Sequence, residues 1–302
     1  MDGVYSALAR IPTFRDVRPE AIEIEPLSSL SNATYKVIAN ESAYTLRLPG
    51  KGSNEYVDRA AEKHNARIMA AAGVNAKVLF FDATDGTMLS EYVEGVSMTE
   101  TTFRNELEAP ARAALTLKRV HHLGPVFKSR FDIFAMIDVY LGILRKLRAP
   151  LPEDYHDVEQ GAEAVRRALE ATPIPLSPCH NDPWPANFLD AGERLYIIDW
   201  EFSGMNDPLW DLGDLSVEAG FGPKQDRAMM DAYYGVASPP LNLYSRLALY
   251  KAMSDLLWSL WGLIQHANDN PRNDFLTYAL GRLGRCKALM GSTEFGRHVN
   301  AV

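Results

Sequence analysis

The spacing of apolar residues changes near residue 93, and this change is the feature that most limits the folds open to the chain. Before it, apolar runs rich in β-branched and aromatic residues are typical of strands, at 21–31, 34–39, 43–48, 76–81 and 87–92. After residue 104, apolar residues recur at helical spacing. The pattern predicts an α+β fold with a β-rich lobe over 1–92, an α-rich lobe over 93–302 and a cleft between them.

Turn residues indicate how these segments connect. Asn40, Glu41 and Ser42 separate two of the predicted strands, and Asp85-Gly86 separates two others, so both connections are predicted to be hairpins. Between the hairpins, the segment 55–72 is predicted to be a helix that ends before Gly73. Further helices are predicted over 106–123, 131–147, 154–171, 223–235, 243–266 and 273–290, with a loop-rich segment at 179–215.

Composition narrows the class of protein. The 302 residues are 47% hydrophobic and 23% charged, as in globular domains, and their formal net charge is −8. An acidic surface repels phosphate backbones, which disfavours a dedicated nucleic-acid-binding protein. Cys179 and Cys286 are too few for a disulfide framework, as is usual in a reducing cytosol. We expect a cytoplasmic monomer or homodimer without membrane insertion or a signal peptide, because apolar runs are short and a basic N-terminal region is lacking.

The segment HNDPWPAN, at 180–187, carries most of the functional information. Pro183 and Pro185 prevent a helix, so Asp182 and Asn187 are predicted to lie on a loop. The apolar run 195–198 then predicts a short strand that ends at Asp199. Carboxylate and amide oxygens brought together in this way suit Mg²⁺, which keeps water or phosphate oxygens in its other positions.

Phosphoryl transfer requires such a set of groups. A metal neutralises charge on the phosphates, and a carboxylate accepts the proton of the attacking hydroxyl. Asp182, Asn187 and Asp199 follow the order of the base and the metal ligands in protein kinases. Asp and Asn also cap turns, and that is the alternative for each residue taken singly. The combination with His180 and the intervening strand favours phosphoryl transfer.

The run 179–215, with HNDPWPAN and IIDWEFSGMNDPLWDLG, resembles the choline/ethanolamine kinase family within the aminoglycoside-phosphotransferase superfamily. The resemblance implies a bilobal protein-kinase-like fold, ATP as co-substrate and Mg²⁺ as cofactor. It implies that Asp182 is the catalytic base and that Asn187 and Asp199 hold Mg²⁺. His180 would fix the loop through hydrogen bonds. Asp211 would either brace the loop from behind or cap a helix.

The same resemblance places the nucleotide against the first lobe. Arg47, in TLRLPG, would contact the phosphates, with Glu62 as its ion-pair partner or, alternatively, as a solvated helix carboxylate. The segment MLSEYVEG resembles the hinge that meets the adenine edge, although a simple strand end is the alternative. The phosphate-covering loop departs from the family pattern because it has no glycine between Leu27 and Val37. The remaining nucleotide-binding candidates are Ser31, Asn32 and Thr34 in this loop and Glu91, Tyr92 and Val93 in the hinge.

The predicted helix 243–266 carries two different faces. An apolar stripe of Tyr250, Met253, Leu257, Leu260 and Ile264 is typical of core. The neighbouring face mixes tryptophans with polar residues, and such a face is usually partly buried packing, although aromatic cages also bind quaternary ammonium ions. By resemblance to the family, the acceptor-binding residues are Glu201, Glu218, Trp258, Trp261 and Tyr278.

Together these observations predict a kinase that moves the γ-phosphate of ATP onto a small cationic alcohol, with choline first and ethanolamine as a lesser substrate. One alternative keeps the fold but takes thiamine, an aminoglycoside or a small sugar as acceptor. Another is an inactive relative that binds ligand without turnover. The intact set Asp182, Asn187, Asp199 and Arg47 argues against the inactive relative, whereas the loop without glycine argues slightly for it.

Overall fold

The computed structural model describes residues 2–123, 126–153 and 155–302. The first part of the chain builds an antiparallel five-stranded sheet of order β1-β2-β3-β5-β4. These strands are β1 Glu23–Leu27, β2 Ala33–Ala39, β3 Ser42–Leu48, β4 Val78–Phe81 and β5 Met88–Glu91. Helices dominate the rest of the described chain, so the protein has the predicted bilobal α+β, protein-kinase-like fold. The division after residue 92 stays a prediction.

Both hairpins are confirmed, and their turns follow from the residues predicted to form them. Asn40 and Glu41 have φ of 49° and 60°, so they form a two-residue turn between paired Ala39 and Ser42. Between β4 and β5, Gly86 has a φ of 84°, a region that favours glycine. Arg47 donates to the Gly86 carbonyl at 3.1 Å, so this second turn also supports the cleft.

The helix between the hairpins, α2 Arg59–Ala71, begins later than the predicted residue 55. The side chain of Asp58 accepts hydrogen bonds from the N–H groups of Ala60 and Ala61, which sets the start of the helix. A short 3₁₀ turn, Ser53–Glu55, precedes it. Gly73, with a φ of 70°, follows the helix as predicted.

The second part contains more regular structure than predicted. Its helices are α3 Glu100–Asn105, α4 Ala109–Leu123, α5 Ile133–Leu147, α6 Tyr155–Ala171, α7 Pro208–Glu218, α8 Pro223–Tyr234, α9 Leu241–Ala267, α10 Phe275–Met290 and α11 Thr293–Val299. A short helix, α1 Asp2–Ala9, precedes the sheet. The remaining short strands are β6 Val96–Ser97, β7 Ser177–Cys179, β8 Phe188–Asp190, β9 Leu195–Ile197 and β10 Gly204–Asn206.

Some predicted boundaries and one predicted loop region were wrong. The prediction missed α3, and it placed α7 within the loop-rich segment 179–215, although Asp207 caps this helix and Pro208 occupies its first turn. α4 begins at Ala109 rather than 106, and α5 begins after its cap Asp132 rather than at 131. The predicted start of α6 at residue 154 lies outside the described residues.

The helix α9 is at the centre of the second part, and it positions one end of the cleft. Its predicted apolar stripe is buried, and so is the neighbouring face with Trp258 and Trp261. A helix buried on both faces must pack against several partners, here α5, α7, α10 and α11. No helix in the described part of the chain is long and apolar enough to cross a membrane.

Candidate active site

A cleft of about 880 Å³ opens between the five-stranded sheet and the helical part. Most of the candidate residues line it: Ser31, Thr34, Arg47, Glu91, Tyr92, Val93, Asp182, Asn187, Asp199, Glu201, Glu218, Trp258, Trp261 and Tyr278. The other candidates, Asn32, Glu62, His180 and Asp211, are almost completely buried and bind to their neighbours by hydrogen bonds or ion pairs. Residues far apart in sequence therefore meet in one cleft.

The loop that carries Asp182 is held by the ring of His180. The His180 Nε2 lies 2.9 Å from the carbonyl of Ile198, and its Nδ1 lies 3.3 Å from the N–H of Asp182. Burial lowers the pKa of His180, so the neutral ring donates through Nε2 and accepts through Nδ1. This arrangement fits the predicted structural role of His180.

The carboxylate of Asp211 supports the same loop from inside α7. Its two oxygens accept the N–H groups of His180 and Asn181 at 2.8 and 2.7 Å. Asn181 has a φ of 68°, and these hydrogen bonds help to hold that conformation. His121 adds a contact of 2.9 Å from its Nε2 to Asp211. Asp207, not Asp211, caps the helix, so the geometry favours a brace over a cap.

The Asp182 side chain is partly accessible at the floor of the cleft. Burial of its surroundings raises the pKa of this carboxyl well above the usual value, and the charges of Asp214, Glu218, Asp199 and Glu201 raise it further. A carboxylate with a raised pKa is a stronger base, which suits a group that accepts a proton from a hydroxyl.

The two candidate metal ligands line the same cleft as Asp182. Asn187 donates its side-chain N–H to the carbonyl of Asp182 at 2.9 Å, which leaves its amide oxygen as a ligand. Asp199 follows β9 in the left-handed region, with a φ of 65°, an unusual backbone for this residue type that often marks functional sites. These oxygen donors fit Mg²⁺ in type.

Buried charges join the sheet and α2 to the Asp199 segment. Arg47 lies 2.5 Å from Glu62 and 3.0 Å from Asp199, as measured from its Nη1. Glu62 is therefore an ion-pair partner of Arg47 rather than a solvated carboxylate. Arg59, which the sequence analysis missed, donates to Glu62 at 2.8 Å and to Glu201 at 3.0 Å. The motif DRAAE, which places an arginine one helical turn before Glu62, was the available signal.

The Glu201 carboxylate is already engaged within this network. Arg59 binds one of its oxygens, and the amide of Asn32 lies 3.4 Å from the other. Burial and the charge of Asp199 raise the pKa of Glu201 to about 7, although Arg47 opposes this shift. Glu201 lines the cleft, and these contacts place it beside Asn32, one of the nucleotide-binding candidates.

The loop without glycine obtains its close packing from Gly50, which follows β3. Asn32 donates to Asp199 at 3.3 Å and accepts the N–H of Gly50 at 3.1 Å. A Cβ at Gly50 would collide with the carbonyl of Ser31, so only glycine fits there. Thr34 is paired with Arg47 across β2 and β3, which places both against the cleft.

The hinge candidates show one unused backbone donor. The N–H of Glu91 donates to Lys77, and that of Tyr92 donates to Ala43. In the described part of the chain, the N–H of Val93 has no such partner. Val93 is therefore the residue of the three whose N–H is free to meet a nucleobase edge.

At the end of the cleft that contains the acceptor-binding candidates, which we call the acceptor end, three aromatic rings pack edge to face. The centroids of Trp258 and Trp261 are 6.2 Å apart, and those of Trp261 and Tyr278 are 6.0 Å apart. Gly262 makes this packing possible, because a Cβ there would lie 2.7 Å from the Tyr278 ring. Phe202, missed in the sequence analysis, packs on Trp258 at 5.2 Å. It adjoins Glu201 in the motif IIDWEF, which was the signal for it.

The polar groups at this end are largely paired with each other. Arg282 binds Glu218 and lies 3.3 Å from Asp255, and Arg285 also binds Asp255. The guanidinium of Arg282 stacks over Tyr278, 4.7 Å from the ring centroid. Sequence reasoning missed both arginines, because helical spacing alone does not show which side chains of α10 meet α7.

A two-lobed fold with an aspartate-bearing loop in the cleft defines a protein-kinase-like phosphotransferase. A family model described as "Phosphotransferase enzyme family" (APH) matches residues 23–250. A solved choline/ethanolamine kinase family protein from Mesorhizobium loti is 48% identical, with 99% of this chain and 98% of that chain covered at a TM-score of 0.85. The chain therefore belongs to this phosphotransferase family and to its choline/ethanolamine kinase branch.

Two further relatives are more distant. The structure of the choline kinase LicA from Streptococcus pneumoniae is 26% identical and covers 89% of this chain and 92% of that chain at a TM-score of 0.78. Protein LicA of Haemophilus influenzae is 28% identical over 266 residues, which are 85% of this chain and 78% of that protein. The match extends through both parts of the chain.

Proposed function

We propose that the protein transfers the γ-phosphate of ATP to the hydroxyl of choline, with ethanolamine as a lesser substrate. One observation carries the proposal: the aromatic cluster of Trp258, Trp261 and Tyr278 lines the same cleft as Asp182. Tryptophan and tyrosine faces attract quaternary ammonium ions, so the cluster can hold the cationic head group. The hydroxyl of the same small molecule can then reach Asp182.

In this proposal, Asp182 orients the hydroxyl and accepts its proton during attack. Arg47 binds phosphate oxygens, and the free N–H of Val93 meets the adenine edge. Asn187 and Asp199 would hold Mg²⁺, which offsets phosphate charge when it is bound. In the structure Asp199 pairs with Arg47 and Asn32, so the binding of Mg·ATP has to replace these contacts.

The lining of the acceptor end favours choline over the other acceptors. It has several aromatic rings, and Glu218 is already paired with Arg282. An aminoglycoside, with several ammonium groups, needs a wider pocket with more unpaired carboxylates. Choline is also the acceptor of the S. pneumoniae relative. Thiamine carries a cation that the same rings could hold, and it is the main competing acceptor.

The test is an assay of ADP release with Mg·ATP and choline, ethanolamine, thiamine or kanamycin, with Asp182→Asn beside the wild type. We expect turnover with choline above the other acceptors, and its loss in the variant. Efficient turnover of thiamine or kanamycin without choline would overturn the assignment of the acceptor. No turnover with any of the four, together with a nucleotide-dependent shift in melting temperature, would support the inactive relative instead.

A further inference from the structure

A buried carboxylate lies directly behind the aromatic cluster. Asp214 on α7 is fully buried, and its Oδ1 accepts the indole N–H of Trp258 at 2.8 Å and the hydroxyl of Ser254 at 2.5 Å. Ser254 and Trp258 are four residues apart on α9, so they present one face to α7. The two helices can approach because a Cβ at Gly213 would lie 2.7 Å from the Tyr250 side chain.

The charge of Asp214 lacks a matching cation. Its second oxygen, Oδ2, is buried without a hydrogen-bond partner in the described part of the chain. The nearby arginines are engaged elsewhere, since Arg282 binds Glu218 and Asp255, and Arg285 binds Asp255. These two arginines pair with those two carboxylates, and among the described residues no lysine, arginine or histidine forms an ion pair with Asp214.

Keeping a carboxylate ionised where it is buried without a paired cation is costly for folding. Fixing the indole of Trp258 does not require it, because the neutral oxygen of an asparagine would accept the same N–H. Features that are costly for folding and are not needed for packing are expected at functional sites. A carboxyl group at this position therefore needs an explanation in binding.

We propose that Asp214 positions Trp258 and determines the preference of the pocket for a cationic acceptor over a neutral alcohol of the same shape. This inference rests on the proposed function. The carboxyl group holds the indole through its N–H. A cation at the opposite side of the ring favours the ionised carboxylate, whose charge attracts that cation through the ring. A charge-assisted hydrogen bond also increases the electron density of the indole face, which strengthens the cation–π attraction.

The test compares choline with its neutral carbon analogue, in which a tert-butyl group replaces the trimethylammonium. For Asp214→Asn we expect kcat/KM for choline to fall about tenfold or more, mainly through KM, which corresponds to at least ~1.4 kcal/mol. The value for the neutral analogue should stay within about twofold. The melting temperature should be equal or higher, because a buried carboxyl group without a paired cation is removed.

The matched control is Asp226→Asn. Asp226 is a carboxylate that also accepts a serine hydroxyl, from Ser216 at 2.5 Å, but it pairs with Lys251. The Asp226→Asn substitution should leave the preference for choline unchanged.

An Asp214→Asn protein that folds and keeps the wild-type preference overturns the inference while the proposed function stands. If Asp214→Asn does not fold, Asp214→Ser is compared in the same way, and the same criterion applies. A wild type that does not phosphorylate choline overturns the proposed function and this inference together.

Discussion

At the scale of single residues, the dominant feature is the concentration of carboxylates around one cleft. Asp182, Asp214 and Glu218 all have raised pKa values, because burial disfavours their charged forms and their charges repel each other. A protein gains no stability from this arrangement. In the proposed function its benefit lies in binding a cation and in accepting a proton, so function and stability should respond in opposite directions to substitution there.

The substitution Asp182→Asn tests whether activity and stability change in opposite directions. We expect the rate of phosphate transfer to fall by about a thousandfold, within the range that general-base catalysis contributes. The ligand-free variant should melt at a higher temperature than the wild type near pH ~8. The native state binds more protons than the unfolded state at Asp182, so the wild type loses stability as pH rises above the usual carboxyl pKa of about 4.

Rates of ADP release and thermal unfolding at about pH 4 and pH 8 measure both effects. The gain in melting temperature should be small at the lower pH, where the carboxyl is protonated in the native state and about half protonated in the unfolded state. A variant that is less stable than the wild type at the higher pH would contradict the direction of the pKa shift.

Asp211 contributes differently, because each of its oxygens has a buried donor. Asp211→Asn replaces one acceptor by an N–H₂ group that faces a backbone N–H, so we expect a loss of about 1–3 kcal/mol in the free energy of unfolding. The value of kcat should also fall, because the loop that carries Asp182 is less well held. Denaturant unfolding and steady-state kinetics measure these effects. Asp132→Asn keeps a capping residue at the exposed start of α5 and should change neither.

At the scale of elements, the contact between α9 and α10 shapes the acceptor end of the cleft. Tyr278 reaches the cleft because α10 lies close against Gly262 of α9. The indole of Trp261 and the ring of Phe275 also pack at this contact, at 5.5 Å between centroids. A change in the spacing of these two helices should therefore alter the aromatic cluster as a unit.

Gly262→Ala is the corresponding prediction. The new Cβ would lie 2.7 Å from the Tyr278 ring and 3.1 Å from the Ala279 Cβ, so α10 has to move. We expect a loss of about 1–3 kcal/mol in stability and a higher KM for choline. Gly284 lies on α10, and a Cβ added there meets open space. Gly284→Ala should therefore stabilise the protein by about 0.5–1 kcal/mol. If the two variants behave alike, the close packing at Gly262 has no special role.

At the scale of the whole molecule, the cleft is lined from both parts of the chain, so ligands should link them. Arg47 and Glu62 come from the sheet and α2, whereas Asp199 and Glu201 come from the segment after β9. Their ion pairs and the hydrogen bonds of Asn32 cross between these parts. Nucleotide binding should exchange some of these contacts and stabilise the protein through linkage.

Mg·ATP at 100 times its dissociation constant should add about 2.7 kcal/mol to the free energy of unfolding. Arg47→Ala should remove most of the shift in melting temperature that Mg·ATP produces, because the phosphates lose their arginine. The shift produced by choline should remain, since choline is proposed to bind at the aromatic end. Thermal unfolding with each ligand separately measures both shifts. Equal loss of the two shifts would indicate general damage to the fold rather than a role in binding the phosphates.

The sequence by itself determined the local geometry and the chemistry that follows from it. Proline at 183 and 185 rules out a helix around Asp182, and Asn40, Glu41 and Gly86 suit turns because their backbones tolerate positive φ. The change from strand to helical spacing predicted the two-part α+β fold, and the order of Asp182, Asn187 and Asp199 indicated phosphoryl transfer. All of these signals depend on residues close together in the chain.

Only the tertiary structure decided which distant side chains meet. Arg59 reaches Glu201 across 142 positions, Trp258 reaches Asp214 across 44, and Arg282 reaches Glu218 across 64. Helical spacing shows which residues share a face, but both faces of α9 are buried, so it could not show which face meets α7 and which meets α10. The charge balance at the acceptor end, and with it the role inferred for Asp214, arises from that packing.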